Sequence, residues 1–264
     1  MKHSGVSVSA VTPWRWAVAG VLLGLMLTVM VYAPASWLAF WVKQASGGQV
    51  LLQETKGTLW AGSARLTLTG GAGSLDASTL PSRLTWDISP TLAGVRVRWR
   101  ANCCMQQDAL INLMPRWGGW QMVLSDSPSQ WPAQWLSGLG TPWNTLQVQG
   151  DFNLTTQGMT LTWLSGRMQV AGQAQLDALD MASHLSTLRP MGSYRLILTG
   201  GSSPALSLST IRGSLQLSGS GQWVGGKLRF NGEASAVPEH QAALDNLLNI
   251  IGRRNGARSI IKVG

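Results

Sequence analysis

The chain has 264 residues, enough to bury a core without disulfide staples. Only 12% of them are charged and 31 are glycine, which disfavours helix bundles and suits short strands joined by turns. Lys and Arg number 20 against 11 Asp and Glu, a formal charge of +9, yet the basic residues stand mostly singly and form no dense stripe of the kind that tracks a phosphate backbone, which argues against nucleic acid as a partner.

Residues 1–15 carry Lys2, His3 and Arg15 and precede an uncharged run, WAVAGVLLGLMLTVMVYA, over 16–33. This run is close to the length that crosses a hydrocarbon core as helix. Its eight Val and Leu residues supply about −2 to −5 kcal/mol on the insertion scale, enough to outweigh Gly20, Gly24 and Thr28. A transmembrane helix is expected over 16–34, with Trp16, Leu22, Leu25, Val29 and Tyr32 marking its length. Lys2 and Arg15 lie before it and the next positive residue is Lys43, so the charge bias puts 1–15 in the cytoplasm and the rest outside it. Tyr32, Trp37, Phe40 and Trp41 stand where an interfacial aromatic belt belongs. The competing reading is a cleaved signal peptide, with Ala33-Pro34-Ala35 as an A-x-A-like site, although the apolar run is longer than a usual h-region. Gly20 and Gly24 form a GxxxG, a helix-pairing pattern that is common in spans without pairing.

Residues 35–48 read as a juxtamembrane linker, and 49–264 as an exported β-rich domain. Beyond Lys43 the pattern becomes alternation bounded by Gly, Pro, Ser and Asn. Strands are expected at 49–54, 58–69, 82–88, 94–101, 109–113, 119–124, 146–154, 159–164, 166–174, 192–199, 205–208, 213–223 and 227–234. In 94–101, Val95, Val97 and Trp99 alternate with Arg96, Arg98 and Arg100, placing the arginines on one face. Residues 224–227 read as a hairpin turn. So many short segments with few long loops point to one large, strongly twisted antiparallel sheet or a partly open barrel, with a β-sandwich as the alternative.

Two helical patches interrupt the strands. Residues 129–137 would pack Trp131 and Trp135 on the sheet. After Pro238, Leu244, Leu247, Leu248 and Ile251 fall at i, i+3, i+4 and i+7, an amphipathic helix with one apolar stripe. Arg253 and Arg254 suit its C-terminal end, Gly256 offers a left-handed stop, and 259–263 returns as a strand.

Residues that could carry chemistry are sparse. Cys103 and Cys104 are adjacent, which is neither zinc nor CxxC spacing. A vicinal disulfide is one reading, and two half-buried thiols on opposite faces of a strand is the plainer one. Asp177 and Asp180 read as loop or cap residues rather than a paired-carboxylate site. The histidines, His3, His184 and His240, form no readable triad, and 70–73 and 200–201 lack the Lys-Ser/Thr of a phosphate loop. No catalytic residue, metal ligand or cofactor site is expected. The 14 tryptophans stand mostly at alternating strand positions, where aromatics fill core, against the reading of a ligand platform.

Particular segments resemble one family. Gly57-Thr58-Leu59-Trp60-Ala61-Gly62 is similar to the early G-T-[LV]-W-x-G motif of the type II secretion system protein N family. Gly192-Ser193-Tyr194, and Gly219-Ser220-Gly221 with Trp223, are similar to its later strands, and the ending LLNIIGRRNGARSIIKVG, with Gly256 and Arg258, is similar to its terminal segment. The resemblance implies a non-enzymatic, single-pass accessory of the bacterial inner membrane whose periplasmic domain contacts other secretion subunits, either inner-membrane assembly subunits or the outer-membrane secretin. Membrane lipid is the other expected partner. An envelope protein that binds lipid or another hydrophobic ligand is the alternative reading.

Overall fold

The computed structural model describes residues 14–224 and 226–264. The expectations for 1–13, Lys2 and His3 included, lie outside them, as does the side chain of Arg15.

Helix α1 (Trp14–Val31) is followed after a short break by α2 (Ala35–Ala45). Among the described residues no helix is long and apolar enough to cross a membrane. At 18 residues, α1 measures about 27 Å against a hydrocarbon core of roughly 30 Å. The helix expected over 16–34 therefore stops at Val31, Tyr32 lies in the turn beyond it, and the expected linker is largely helix α2. Pro34 explains the break: it lacks the N–H that would continue α1, while its extended conformation precedes the first residue of α2.

Fifteen strands follow among the described residues, all in one sheet. They are β1 (Val50–Gly57), β2 (Ala61–Thr69), β3 (Ala77–Thr91), β4 (Gly94–Ala101), β5 (Ala109–Arg116), β6 (Gly119–Leu124), β7 (Ser129–Pro132), β8 (Gln149–Leu164), β9 (Arg167–Ala182), β10 (Gly192–Gly201), β11 (Ala205–Gly213), β12 (Leu215–Val224), β13 (Lys227–Ala236), β14 (Arg253–Asn255) and β15 (Arg258–Val263). Each pairs antiparallel with its predecessor along the order β1 to β6, β8 to β13, β15, β14, and β7 adds to the near half of β8. The sheet does not close on itself and among the described residues there is no second sheet, so the architecture is one large open sheet rather than a sandwich.

Two changes of pairing set its shape. The expected strands at 146–154 and 159–164 are one strand, β8, because the register slips between Gln157 and Thr160 while pairing to β9 continues on both sides. Gly158, at φ +58, takes the left-handed backbone at that bulge. The expected helix over 129–137 is instead β7 followed by a 3-10 turn, Ala133–Leu139. Trp99, Trp131 and Trp135 stack there with ring centroids 6.1 and 5.8 Å apart, over a core of Leu80, Ala101, Cys104, Met105 and Ala109. These aromatics fill core, and the Trp135 indole donates to the Ser78 carbonyl.

A short helix α3 (Trp143–Leu146) leads into β8, and α4 (Gln241–Ile251) lies between β13 and β14. α4 buries Leu244, Leu247 and Leu248, as its sequence period requires, against Met181, Tyr194, Leu215 and Ala234. Its C-terminus differs from expectation. Gly252, in extended backbone, follows the helix, and Gly256, at φ +61, turns β14 into β15 instead. Arg253 and Arg254 are therefore strand residues, and Arg254 reaches back to Asp245 of α4 at 2.7 Å.

Candidate functional site

The motif at 57–62 builds a docking node between the helices and the sheet. Gly57 and Gly62 are partners at the end of the β1–β2 pair, and the chain between them closes tightly: the Thr58 N–H donates to the Ala61 carbonyl at 2.8 Å, and the Ala61 N–H to Thr58 Oγ1 at 3.1 Å. This turn then serves neighbours on both sides. Toward the helices, the Trp60 indole donates to the Met30 carbonyl at 2.8 Å, the Leu59 N–H donates to the Ala33 carbonyl at 2.7 Å, and Pro34 bridges Thr58. Toward the sheet, the Trp86 indole donates to the Leu59 carbonyl at 3.0 Å and the Ile88 N–H to the Trp60 carbonyl at 2.5 Å. Ala33, Ala35, Ala64 and Trp86 are buried around it. The last carbonyls of α1 lack intrahelical donors, and Trp60 supplies one of them. The elbow between α1 and α2 is thus hydrogen-bonded to the β1–β2 turn, which is itself hydrogen-bonded to β3, and α2 lies against β1.

The glycines at 219 and 221 have a packing role. The ring of Phe230, on the paired strand β13, lies across Gly219, Gly221 and Gly232; a Cβ at Gly221 would sit 3.0 Å from the ring. Glycine in a strand interior is unfavourable unless something approaches closely, and here an aromatic ring does. Trp223 stands farther out at the hairpin tip beside a cavity. Arg258 pairs with Glu233 at 3.2 Å on the outer face.

Asp177 and Asp180 are not loop residues. Both lie on β9, where Asp177 accepts from Arg195 Nε and Nη2 at 2.7 and 2.8 Å, and Asp180 from Arg212 at 2.7 Å. Aspartate is depleted in strands, which is why the sequence reads as loop there, but cross-strand charge pairing offsets that preference. Arg195 holds the Asp177 carboxyl below the usual carboxylate range, against the effect of burial and with help from a Gln175 hydrogen bond. A carboxyl depressed in the fold stabilises it above the unfolded value of about 3.9, and that increment is lost as pH falls through the folded value. Wild-type Tm should therefore decline on acidification from about pH 5 toward pH 3, and Arg195→Met should flatten that decline; parallel curves would show that the pair contributes nothing to acid stability.

Among the described residues the remaining polar groups form neither a triad nor a three-residue metal cluster. His240 Nδ1 lies 2.9 Å from Ser214 Oγ, but among the described residues its other ring nitrogen has no carboxylate partner, so the orienting third group of a triad is missing. The His184 ring meets the Gln149 amide at 3.2 Å. Burial pushes the Tyr194 phenol up, which leaves it protonated and a poor base. Among the described residues no three His, Cys, Asp or Glu gather into a metal-binding group. Cys103 and Cys104 lie in the turn after β4, not on a strand, and are joined by a disulfide, with Cys103 exposed and Cys104 buried. Arg96, Arg98 and Arg100 do share the outer face of β4, where Asp108 pairs with the last two and Asn112 bonds the first.

The node was legible in part. Gly57, Leu59, Trp60 and Gly62 were singled out by their motif, whereas Trp86, Met30 and Ala33 carry no local pattern that would join them to it. A family model described as type II secretion system (T2SS), protein N, matches residues 48–261. No curated protein and no solved structure matches the chain significantly.

Proposed function

Since the chain belongs to the type II secretion system protein N family, we propose that it is a non-enzymatic, single-pass inner-membrane component of that pathway which holds its β-sheet at the periplasmic face and scaffolds other subunits. The family is a secretion-system component and not an enzyme family, and membership implies a role in type II secretion and contact with its other components. The observation that carries the tethering reading is α1 itself. Trp16, Leu22, Leu25 and Val29 are 82, 59, 61 and 46% exposed, so apolar side chains stand out along the helix with no protein packed on them. From Trp16 to Val31 the helix carries no charged residue; such an exposed apolar stretch needs a nonpolar surrounding, and lipid is the one that the charge bias of its flanks fits. A helix slightly shorter than the core is accommodated by local thinning of the bilayer. Trp37, Phe40 and Trp41 of α2 are exposed beside it, the composition of an interfacial segment.

The node then gives the tether its mechanism. Because the last turn of α1 is bonded to the β1–β2 turn, the sheet is held at a fixed attitude to the anchor instead of swinging on a linker. The outer face of the sheet and the short edge strand β14 are left to meet partners. An in-frame deletion strain should retain secreted proteins in its periplasm and recover on complementation, while immunoblots for the other subunits identify which of them depends on this chain. Normal secretion with every subunit intact would remove the scaffolding reading.

A further inference from the structure

We propose that the open end of the sheet's inner face binds the acyl chain of a single-chain anionic amphiphile. The inner face of β8 to β13 is apolar along its length. At one end Tyr194, Leu215 and Ala234 are sealed by α4. Farther along the same strands, Leu176, Leu196 and Leu208 stand in register on adjacent strands and are only half-buried, Leu208 at the margin of the core that α4 seals. At the hairpin tips this face opens into a cavity of about 660 Å³ lined chiefly by Met159, Leu161, Trp163, Met168, Leu198 and Trp223. That volume lies within the roughly 300–1,000 Å³ of small-molecule sites, and an apolar lining with one polar handle is their usual chemistry.

The handle is Arg167. It lines the cavity at the β8–β9 tip and, among the described residues, makes no ion pair; Arg96, Arg116, Arg189, Arg229 and Arg253 also make none, but only Arg167 borders this cavity. A free guanidinium over an apolar cleft complements an anionic head above a hydrocarbon tail. Methionine and tryptophan let such a cleft adapt to a flexible chain, and from Leu217 to Trp223, beyond the part sealed by α4, the face runs about 20 Å, room for a long tail. This reading is independent of the scaffolding role and rests on different residues.

The test uses the full chain in nanodiscs of phosphatidylcholine with a diazirine-bearing palmitate, its methyl ester as the uncharged control, ultraviolet crosslinking and peptide mass spectrometry. The expected result is saturable labelling within 159–170 that unlabelled palmitate competes away. Arg167→Ala should lower palmitate labelling about two- to fivefold and leave the ester unchanged, the range of one exposed charge pair. Leu198→Trp, which fills the cavity, should remove both. Trp163→Asp, at a mouth residue 40% exposed, does the same without depending on how the interior repacks. Labels confined to α1 and α2, or groove labelling unaffected by either cavity variant, would overturn the site; equal loss of acid and ester in Arg167→Ala would overturn its selectivity for anions.

Discussion

Gly62→Val is expected to lower the stability of the sheet by about 2–4 kcal/mol, from overpacking together with a lost buried hydrogen bond. Gly62 faces Gly57 on β1 and Trp86 on β3. A Cβ there would lie 2.6 Å from the Trp86 ring, 2.8 Å from the Lys56 carbonyl and 2.9 Å from the Thr58 carbonyl. Two of those three neighbours are backbone, so the ring must yield, and its indole then loses the Leu59 carbonyl. For a domain of this size the cost corresponds to a fall in Tm of roughly 5–15 °C. The same change should loosen the elbow, seen as faster proteolysis between α1 and β1. Trp60→Phe is the milder comparison: it keeps a six-membered aromatic ring, loses the pyrrole ring with its hydrogen bond to Met30, and should cost about 1 kcal/mol. An unaltered Tm in Gly62→Val would mean that the node is not packed as described.

Leu248→Asp should be more damaging still. Leu248 is fully buried, and removing a buried leucine side chain costs about 2–5 kcal/mol before any charge is considered. Aspartate adds the desolvation of a carboxylate with no partner at that position. The expected outcome is undocking of α4, exposure of Tyr194, Leu215 and Ala234, and a protein that fails to accumulate or is cleaved between β13 and β14. Ile250→Asp, two residues away on the same helix but 52% exposed, should change stability by less than about 0.5 kcal/mol. Equal effects of the two substitutions would show that α4 is not seated by its leucine stripe.

Much of the sheet was legible because alternation is a local signal. β4 and β6 have the boundaries their sequence predicts, and the hairpin at 224–227 pairs Val224 with Lys227. What escaped were features decided by distant partners. β9 runs on through Asp177 and Asp180 because Arg195 and Arg212 neutralise them across the sheet. The start of α2 was hidden by aromatics that also fit a membrane belt, and Gly256 serves a hairpin rather than the helix because β14 is too short to show any period. The motif at 57–62 could be recognised as a unit, but its use could not, since Met30, Ala33 and Trp86 are brought to it only by the fold.

The central claim, a scaffold that works from the inner membrane, is tested most directly by complementing the deletion strain with two forms of the chain. One is the full chain; in the other a cleavable signal peptide replaces the segment through Val31, so that the sheet is exported without its anchor. The amount of secreted protein in the medium, at matched periplasmic levels of the two forms, is the readout. Restoration by the anchored chain alone is predicted. Equal restoration by the released sheet would contradict tethering as the mechanism.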